Sequence, residues 1–367
     1  VLAVRSSVTL PQMQWRGNDL KDIRLNLDYQ RATSLRHALS ASLSSLDEQA
    51  RGDVEGKVEW GGGKLLSGSV KGELQNLQLQ LLGMPAAWQR ASVGGKVTAE
   101  LLSPGQTGQR ADIHLSEVHL REGPHGNASL QNLNLLLQPS EEGESLHLRS
   151  DFLDADLQGN LSPKRLVAAL KEKWQCILAD TASHRNVPQS NSLQTQLSAT
   201  SDHFRTTSGR LHWKSADLLN ALLGTDIALA RDGVDVQLLL SEDAQSRSSL
   251  TVGTDSFRIG SNSFGRTGCY LSGSGNHYDL FCQTVRHISR RPFRLEAQLD
   301  TRDGELPAKF SWKALDASAR KYEGSLAAVL RALPRGGGKF DYRVHIEPTS
   351  FFLADSLWQV ASGNVLV

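Results

Sequence analysis

The sequence predicts a mainly β chain, an elongated antiparallel sheet with one wet and one greasy face, and three observations carry that expectation. The first is a short alternating phrase that recurs from end to end. Asp53-Val54-Glu55-Gly56-Lys57-Val58-Glu59-Trp60 places Val54, Val58 and Trp60 on one side of a strand and charges on the other. The same grammar returns in Leu77-Gln78-Leu79-Gln80-Leu81, Leu133-Asn134-Leu135, Leu153-Asp154-Ala155-Asp156-Leu157, Val234-Asp235-Val236-Gln237-Leu238 and Leu295-Glu296-Ala297-Gln298-Leu299. The second is composition: 32 Gly suit many turns, whereas 6% aromatic residues are thin for several compact cores in 367 residues. The third is punctuation. Gly61-Gly62-Gly63, Ser103-Pro104-Gly105, Gly123-Pro124 and Pro139-Ser140-Glu141-Glu142-Gly143 recur near the spacing of roughly 8 to 12 residues that successive hairpins require.

Taken in order, Val1 to Leu161 reads as strands throughout. Leu35, Leu39 and Leu43 would also suit a helix, but Ser42, Ser44 and Ser45 compete with helical backbone bonding, so a strand is expected there. Ser162-Pro163 then supplies an N-cap and a first-turn proline. Leu166, Val167, Leu170, Trp174, Ile177 and Leu178 fall on one stripe, which predicts an amphipathic helix near 163–180, either a lid on the sheet or a gate over a ligand groove. Thr181 to Ser192 is polar, contains Pro188 and reads as a loop or linker. Strands resume at Leu193, a short helix is expected near 215–223 with a stop at Gly224, and Ser318 to Leu330 suggests a third element. The expected organisation is a β segment over 1–162, helix and linker over 163–192, and a second β segment over 193–367.

Three cysteines do not make a disulfide framework. Around Gly275-Asn276, however, a hairpin with a two-residue loop would oppose Leu271 to Leu280 and Cys269 to Cys282, either as a disulfide or as two buried thiols. Cys176 stands apart in the expected helix, as an inert core residue.

Several chemistries fail on their spacing. Gly61-Gly62-Gly63-Lys64 and Gly336-Gly337-Gly338-Lys339 lack the earlier glycine of a phosphate loop, and Leu65 or Phe340 replaces its Ser or Thr, so both read as turns. Asp154, Asp156 and Gly159 imitate a calcium loop, but Arg165 stands where the bidentate carboxylate belongs. His114, His119 and His125 cannot share one strand face and have no helical metal motif beside them, so no metal is expected. No nucleophile elbow is present, and neither an enzyme nor a cofactor is expected. A net charge of +1, from 40 Lys and Arg against 39 Asp and Glu, offers no field for nucleic acid. The densest basic stretch, Arg286 to Arg291, reads as a solvated strand end. No apolar run approaches the roughly 20 residues of a membrane span. Both termini fall in strand-like text, which suggests a segment of something longer.

Ser150-Asp151-Phe152-Leu153-Asp154-Ala155-Asp156-Leu157-Gln158-Gly159-Asn160-Leu161, running into the Ser162-Pro163 helix, resembles the TamB family, the translocation and assembly module subunits, in their Bacteroidota form. Leu218-Leu219-Asn220-Ala221-Leu222-Leu223 before Ile227 to Gly233, the hairpin-rich stretch to Trp312, and Phe351-Phe352-Leu353-Ala354-Asp355-Ser356-Leu357-Trp358-Gln359-Val360 resemble it too. The resemblance runs from about residue 100 onward. It implies an AsmA-like β-taco, a sheet curled into an open apolar groove that crosses the periplasm. An inner-membrane anchor and a contact with an outer-membrane BamA/TamA-like barrel would lie outside this segment. Phospholipid acyl chains would be the cargo, with outer-membrane protein assembly as the wider role. The helix at 163–180 departs from the simplest family picture by interrupting the groove. On this reading the lining comprises Val54, Val58, Leu79, Leu81, Leu133, Leu135, Leu153, Leu157, Val234, Val236, Leu238, Leu295 and Leu299. Stacked strands at about 4.8 Å would make the segment on the order of 100 Å long. Two other readings fit the same alternation: a scaffold pairing its edges with nascent barrel strands, and an adhesin or structural repeat closed by a second sheet.

Overall fold

The computed structural model describes residues 2–33, 36–103, 110–140, 143–159, 206–241, 246–274, 277–288, 291–301, 306–316, 322–336, 339–361 and 365–366. The fold is mainly β: among these residues 24 strands belong to one antiparallel sheet that is not closed into a barrel. The expected helix at 163–180, Cys176 and the linker to Ser192 lie outside the described residues, as does the loop at Gly275-Asn276. The chain divides into two compact units, Val1–Asp156 with Trp213–Ala228, and Leu157–His212 with Leu229–Val367.

The first unit is a run of antiparallel neighbours: β1 (Leu2–Trp15), β2 (Asn18–Thr33), β3 (Arg36–Leu46), β4 (Ala50–Gly61), β5 (Lys64–Gln78), β6 (Ser92–Leu102), β7 (Arg110–Gly123), β8 (Gly126–Ser140) and β9 (Gly143–Ser150), with the start of β10 (Leu153–Gly159). β2 reaches 16 residues, longer than the common strand, because its alternating sequence holds no proline and lets the ladder continue. Pro11 stands in β1, and the β1–β2 pairing passes from Leu10 opposite Ile23 to Gln12 opposite Lys21 without it. Gly61-Gly62-Gly63-Lys64 is a two-residue hairpin loop: Gly61 pairs with Lys64, and Gly62 and Gly63 take φ of 56° and 75°. Two successive positive φ values give the turn whose twist matches the paired strands.

The phrase Leu77 to Leu81 does not stay in the sheet. β5 ends at Gln78 and Leu79–Leu82 forms a 3₁₀ turn closed by Gly83 in the left-handed region, φ 73°. The backbone N–H of Gly83 donates to Gln80 O at 2.9 Å, and Pro85 follows. Alternation over five residues could not show this departure; the stop signals that impose it lie just beyond. Leu81 is thereby turned into a small core with Leu20 and Ile23, flanked by Leu10, Met13, Ala50 and Leu77. The indole of Trp15 donates to Leu81 O at 3.0 Å and fastens the turn to the end of β1.

One short helix, α1 (Asp217–Leu223), belongs to the first unit and packs beside β8. Asp217 in its first turn complements the helix dipole, and Gly224, φ 68°, ends it. Asn220 ties the helix to the chain that follows: its side-chain N–H donates to Ile227 O at 2.7 Å, and its carbonyl accepts from Thr225 Oγ1 and Ile227 N.

The second unit contains β11 (Thr206–Trp213), β13 (Val234–Ser241), β14 (Ser248–Thr254), β15 (Phe257–Ile259), β16 (Asn262–Ser274), β17 (His277–Ile288), β18 (Arg291–Asp300), β19 (Leu306–Ala314), β20 (Glu323–Gly336), β21 (Lys339–Ile346), β22 (Thr349–Leu353), β23 (Ser356–Val360) and β24 (Val365–Leu366), with β12 (Ile227–Leu229) at the boundary. Part of the stretch in which a third element was expected, Ser318 to Leu330, belongs to β20. Its larger side chains pack in aromatic contacts: Phe293 meets Tyr322 edge-on at 5.9 Å, and Trp312 meets Phe351 at 5.1 Å.

Candidate functional site

Antiparallel register aligns opposed residues on one face, and across β1 to β9 it assembles three parallel apolar rows. The first runs Val8, Leu25, Leu43, Val54, Gly72, Val97, Leu115 and Leu133. The second runs Leu27, Ala41, Gly56, Val70, Ala99, Ile113, Leu135 and Leu148. A third passes through Val4, Tyr29, Leu39, Val58, Gly68, Leu101, Ala111, Leu137 and Leu146. With strands about 4.8 Å apart and rows about 6.8 Å apart, these rows cover a field of roughly 38 by 14 Å.

No second layer among the described residues covers the field. Val4, Val8, Leu27, Leu43, Val58 and Val70 retain between 37% and 53% of their exposure. That extent, about 530 Å², is at the upper end of the largest apolar patch on a typical soluble monomer, and patches of that size are often contact surfaces. One end of β1 and β2 is closed by the Leu20–Ile23–Leu81 core. Towards the other end of β2, β3 and β4 stand Tyr29, His37 and Trp60: His37 stacks on Trp60 at 5.5 Å, and its Nδ1 shares a 2.7 Å hydrogen bond with Tyr29 Oη.

The opposite face is polar and paired. Arg5 meets Asp28 at 3.0 Å, Lys57 meets Glu59 at 2.8 Å, and Lys96 meets Glu117 at 2.7 Å. The Lys57 ammonium, hydrogen-bonded to Glu59, holds that carboxyl below its usual range, and Glu117 raises the Lys96 ammonium in the same way. Such exposed pairs organise the wet face more than they stabilise it. A cavity of about 890 Å³ opens on this polar side. Its wall takes Asn26, Asp28, Glu55, Lys57 and Lys71 with the middle-row residues between them, and nothing from the first or third apolar row.

Asp154 and Asp156 of β10 also belong to the wet face. Asp154 pairs with Lys214 at 2.7 Å, while Asp156 accepts from His147 Nδ1 at 2.8 Å and from Arg149 Nη2 at 2.7 and 2.8 Å. The His147 hydrogen bond, then that of Arg149, lowers the Asp156 pKa. Because the folded value lies below the unfolded one, this contribution is fully present above the ordinary carboxyl range and is lost as pH falls through the lowered folded value. Asp156 is half-exposed, so the size stays under about 1 kcal/mol. Asp156→Asn should therefore be slightly less stable than the parent at neutral pH, with the gap closing in acid, below the ordinary carboxyl range. Urea titrations at both pH values measure it; an unchanged gap in acid contradicts the linkage.

The second unit repeats the arrangement. One row runs Val236, Val252, Cys269, Cys282, Ala297, Phe310 and Leu326; beside it runs Leu238, Leu250, Leu271, Leu280, Leu299, Ala308 and Ala328. Val234 and Leu295 stand on the same face in a third row with Thr254, Thr267, Thr284 and Trp312. Cys269 and Cys282 are directly opposed, with Cα atoms 4.1 Å apart, and form a disulfide. Two cavities, of about 480 and 630 Å³, are walled mainly by residues of the polar face such as Gln298, Lys309, Asp235 and Gln283.

Of the residues expected to line an apolar face, Val54, Val58, Leu133 and Leu135 stand in the rows of the first unit, and Val234, Val236, Leu238, Leu295 and Leu299 in those of the second. Leu153 and Leu157 alternate with Asp154 and Asp156, on the face of β10 that carries buried Ala155. Leu79 and Leu81 are the exceptions: the 3₁₀ turn takes both out of the sheet. Leu25, Leu27, Leu43, Val70, Ile113 and Leu115 were not among the residues expected to line the apolar face, although each sits in an alternating phrase of the same kind.

His114 bonds Asn134, and His119 Nδ1 lies 3.1 Å from Glu117 O. Among the described residues no group of three His, Cys, Asp or Glu is placed to hold a metal, and no helix is long and apolar enough to cross a membrane. No protein-family profile, no curated protein and no solved structure matches the chain.

Proposed function

We propose that this chain is a segment of a TamB/AsmA-like periplasmic protein, and that its apolar sheet face carries phospholipid acyl chains between two membranes in support of outer-membrane assembly. The observation that supports the reading most is the continuity of three apolar rows, each over eight or nine strands, with six of their side chains left half-exposed. Burying an acyl chain contributes about 0.8 kcal/mol per CH₂. A face with no enclosed pocket can gain that energy at many equivalent positions, as a conduit requires; a pocket would hold cargo at one. Headgroups would remain in water at the rim, where Tyr29, His37 and Trp60 offer apolar rings with polar tips. The disulfide suits an oxidising compartment such as the periplasm. A curl of the sheet into a groove and a barrel partner at the outer membrane belong to the same proposal.

The test is mass spectrometry of organic extracts from the purified chain, before and after incubation with phosphatidylethanolamine and phosphatidylglycerol vesicles. Phospholipid at near-stoichiometric load is the expected result. A chain that takes up no lipid from either vesicle would return the apolar face to one of the two other readings, a strand-pairing scaffold or a repeat closed by a second sheet.

A further inference from the structure

We propose that the Tyr29, His37 and Trp60 end of the apolar field is a phosphate station, which holds a diacyl phospholipid by its phosphodiester while the acyl chains reach across the three rows. The inference rests on the lipid reading above and adds to it an anchor, a headgroup chemistry and an orientation.

Beside the third row, on the same face, Leu2, Arg31, His37, Trp60 and Leu65 oppose one another in turn from β1 to β5. The rings of Tyr29, His37 and Trp60 are mutual neighbours, with centroids 5.5, 6.1 and 6.3 Å apart. His37 Nδ1 is taken by Tyr29 Oη at 2.7 Å. When the Tyr29 hydroxyl donates to it, the ring proton lies on Nε2, and a protonated ring carries one there as well. Neither His37 Nε2 nor Trp60 Nε1 has a hydrogen-bond partner among the described residues. The indoles of Trp15 and Trp213, by contrast, donate to the backbone carbonyls of Leu81 and Ser215.

Arg31 brings a positive charge directly opposite His37, and neither this row nor the third apolar row holds a carboxylate. Two ring N–H groups and a guanidinium, presented by three adjacent strands with no acid on their face, suit an anion whose oxygens point several ways, as those of a phosphodiester do. The apolar field lies to one side of this row only, so a lipid held here by its phosphate must send its chains across the field. The three rows span about 14 Å, and one acyl layer, half of a hydrocarbon core of roughly 30 Å, is about as long. Past the first row stands Ile23, 6% exposed and already packed with Leu20 and Leu81, so the surface open to a chain ends where the chain does. An otherwise even face thereby gains one position that fixes which way a lipid lies.

The test loads the purified chain from methyl-β-cyclodextrin with dioleoylphosphatidylglycerol, or with dioleoylglycerol, which has the same chains and no phosphate, and measures bound lipid by mass spectrometry. The phosphatidylglycerol load should be higher by at least about tenfold, and His37→Phe with Trp60→Phe, which keeps apolar rings and removes both N–H groups, should bring the two loads within about twofold. Equal loads in the parent chain, or a variant as selective as the parent, overturn the station and leave the lipid reading standing; no load of either lipid overturns both. Displacement of bound phosphatidylglycerol by excess glycerol 3-phosphate would assign the donors to a soluble phosphate and overturn the station too. A reading that needs no variant comes from phosphatidylglycerol bearing a photoreactive diazirine, either beside the phosphate or at the end of one chain. The first should label Tyr29, His37 or Trp60 at least about tenfold more than Leu25 or Leu43, and the second should reverse that order; one pattern from both probes overturns the proposal.

Discussion

Replacing Leu27 and Val70 together with glutamate should lower the phospholipid load of the purified chain at least about tenfold while leaving its β content unchanged. Both side chains stand in the middle apolar row, and both are more than a third exposed. A carboxylate there can reach water in the empty chain, so the cost to folding stays near the ±0.5 kcal/mol typical of surface positions. With an acyl chain laid on the row the same carboxylate loses its water. Desolvating a charge costs several kcal/mol, against about 1.4 kcal/mol for each factor of ten in affinity. Lys71→Glu, on the polar face of β5, changes net charge by the same two units and should leave the load unaltered. Equal loads in all three proteins would sink the lipid reading, whatever their circular dichroism.

The sheet itself was legible in the sequence because its physics is periodic. Val54 and Val58, or Val236 and Leu238, announce their face by alternation alone, and Gly62-Gly63 announces the loop between β4 and β5. Opposition of Cys269 and Cys282 followed from placing a loop at Gly275-Asn276, since hairpin register depends on loop position. What alternation could not reveal is where a strand stops obeying it. Leu77-Gln78-Leu79-Gln80-Leu81 scans like the other phrases, yet hydrogen bonds from Leu79 N to Ala91 O and from Gly83 N to Gln80 O lift its second half into a turn. Those partners are decided by Gly83, Pro85 and the return of the chain, not by the leucines. Nor does one strand's alternation show that its neighbours' apolar residues align with it. That depends on register shifts such as those between Glu59 and Trp60 and between Leu74 and Leu77, which bring the rows of β5 back into step with β4 and β6.

The same turn carries the largest expected effect on stability. Leu81→Ala should destabilise the first unit by about 3 kcal/mol, the usual cost of emptying a buried leucine site. Leu81 is 3% exposed and packs on Leu20 and Ile23, themselves 6% exposed. The turn that presents it is held by the Trp15 indole and by Gln80, whose side chain donates to Gln78 Oε1 at 2.6 Å, so the site has little freedom to collapse into the void. Leu43→Ala makes the contrast, because Leu43 stands in the first apolar row at 46% exposure. It has few contacts to lose and should cost under about 1 kcal/mol. A chain of two units need not unfold in one step, so the comparison belongs to hydrogen exchange of amides in β1 and β2, where about 3 kcal/mol appears as an exchange rate raised more than a hundredfold. The pair also separates the readings of the apolar face. If a second sheet closed over the rows in the native protein, Leu43 would be as buried as Leu81 and its truncation as costly. An open face would instead leave stability in the small core beneath the turn, and the rows free for the cargo proposed above.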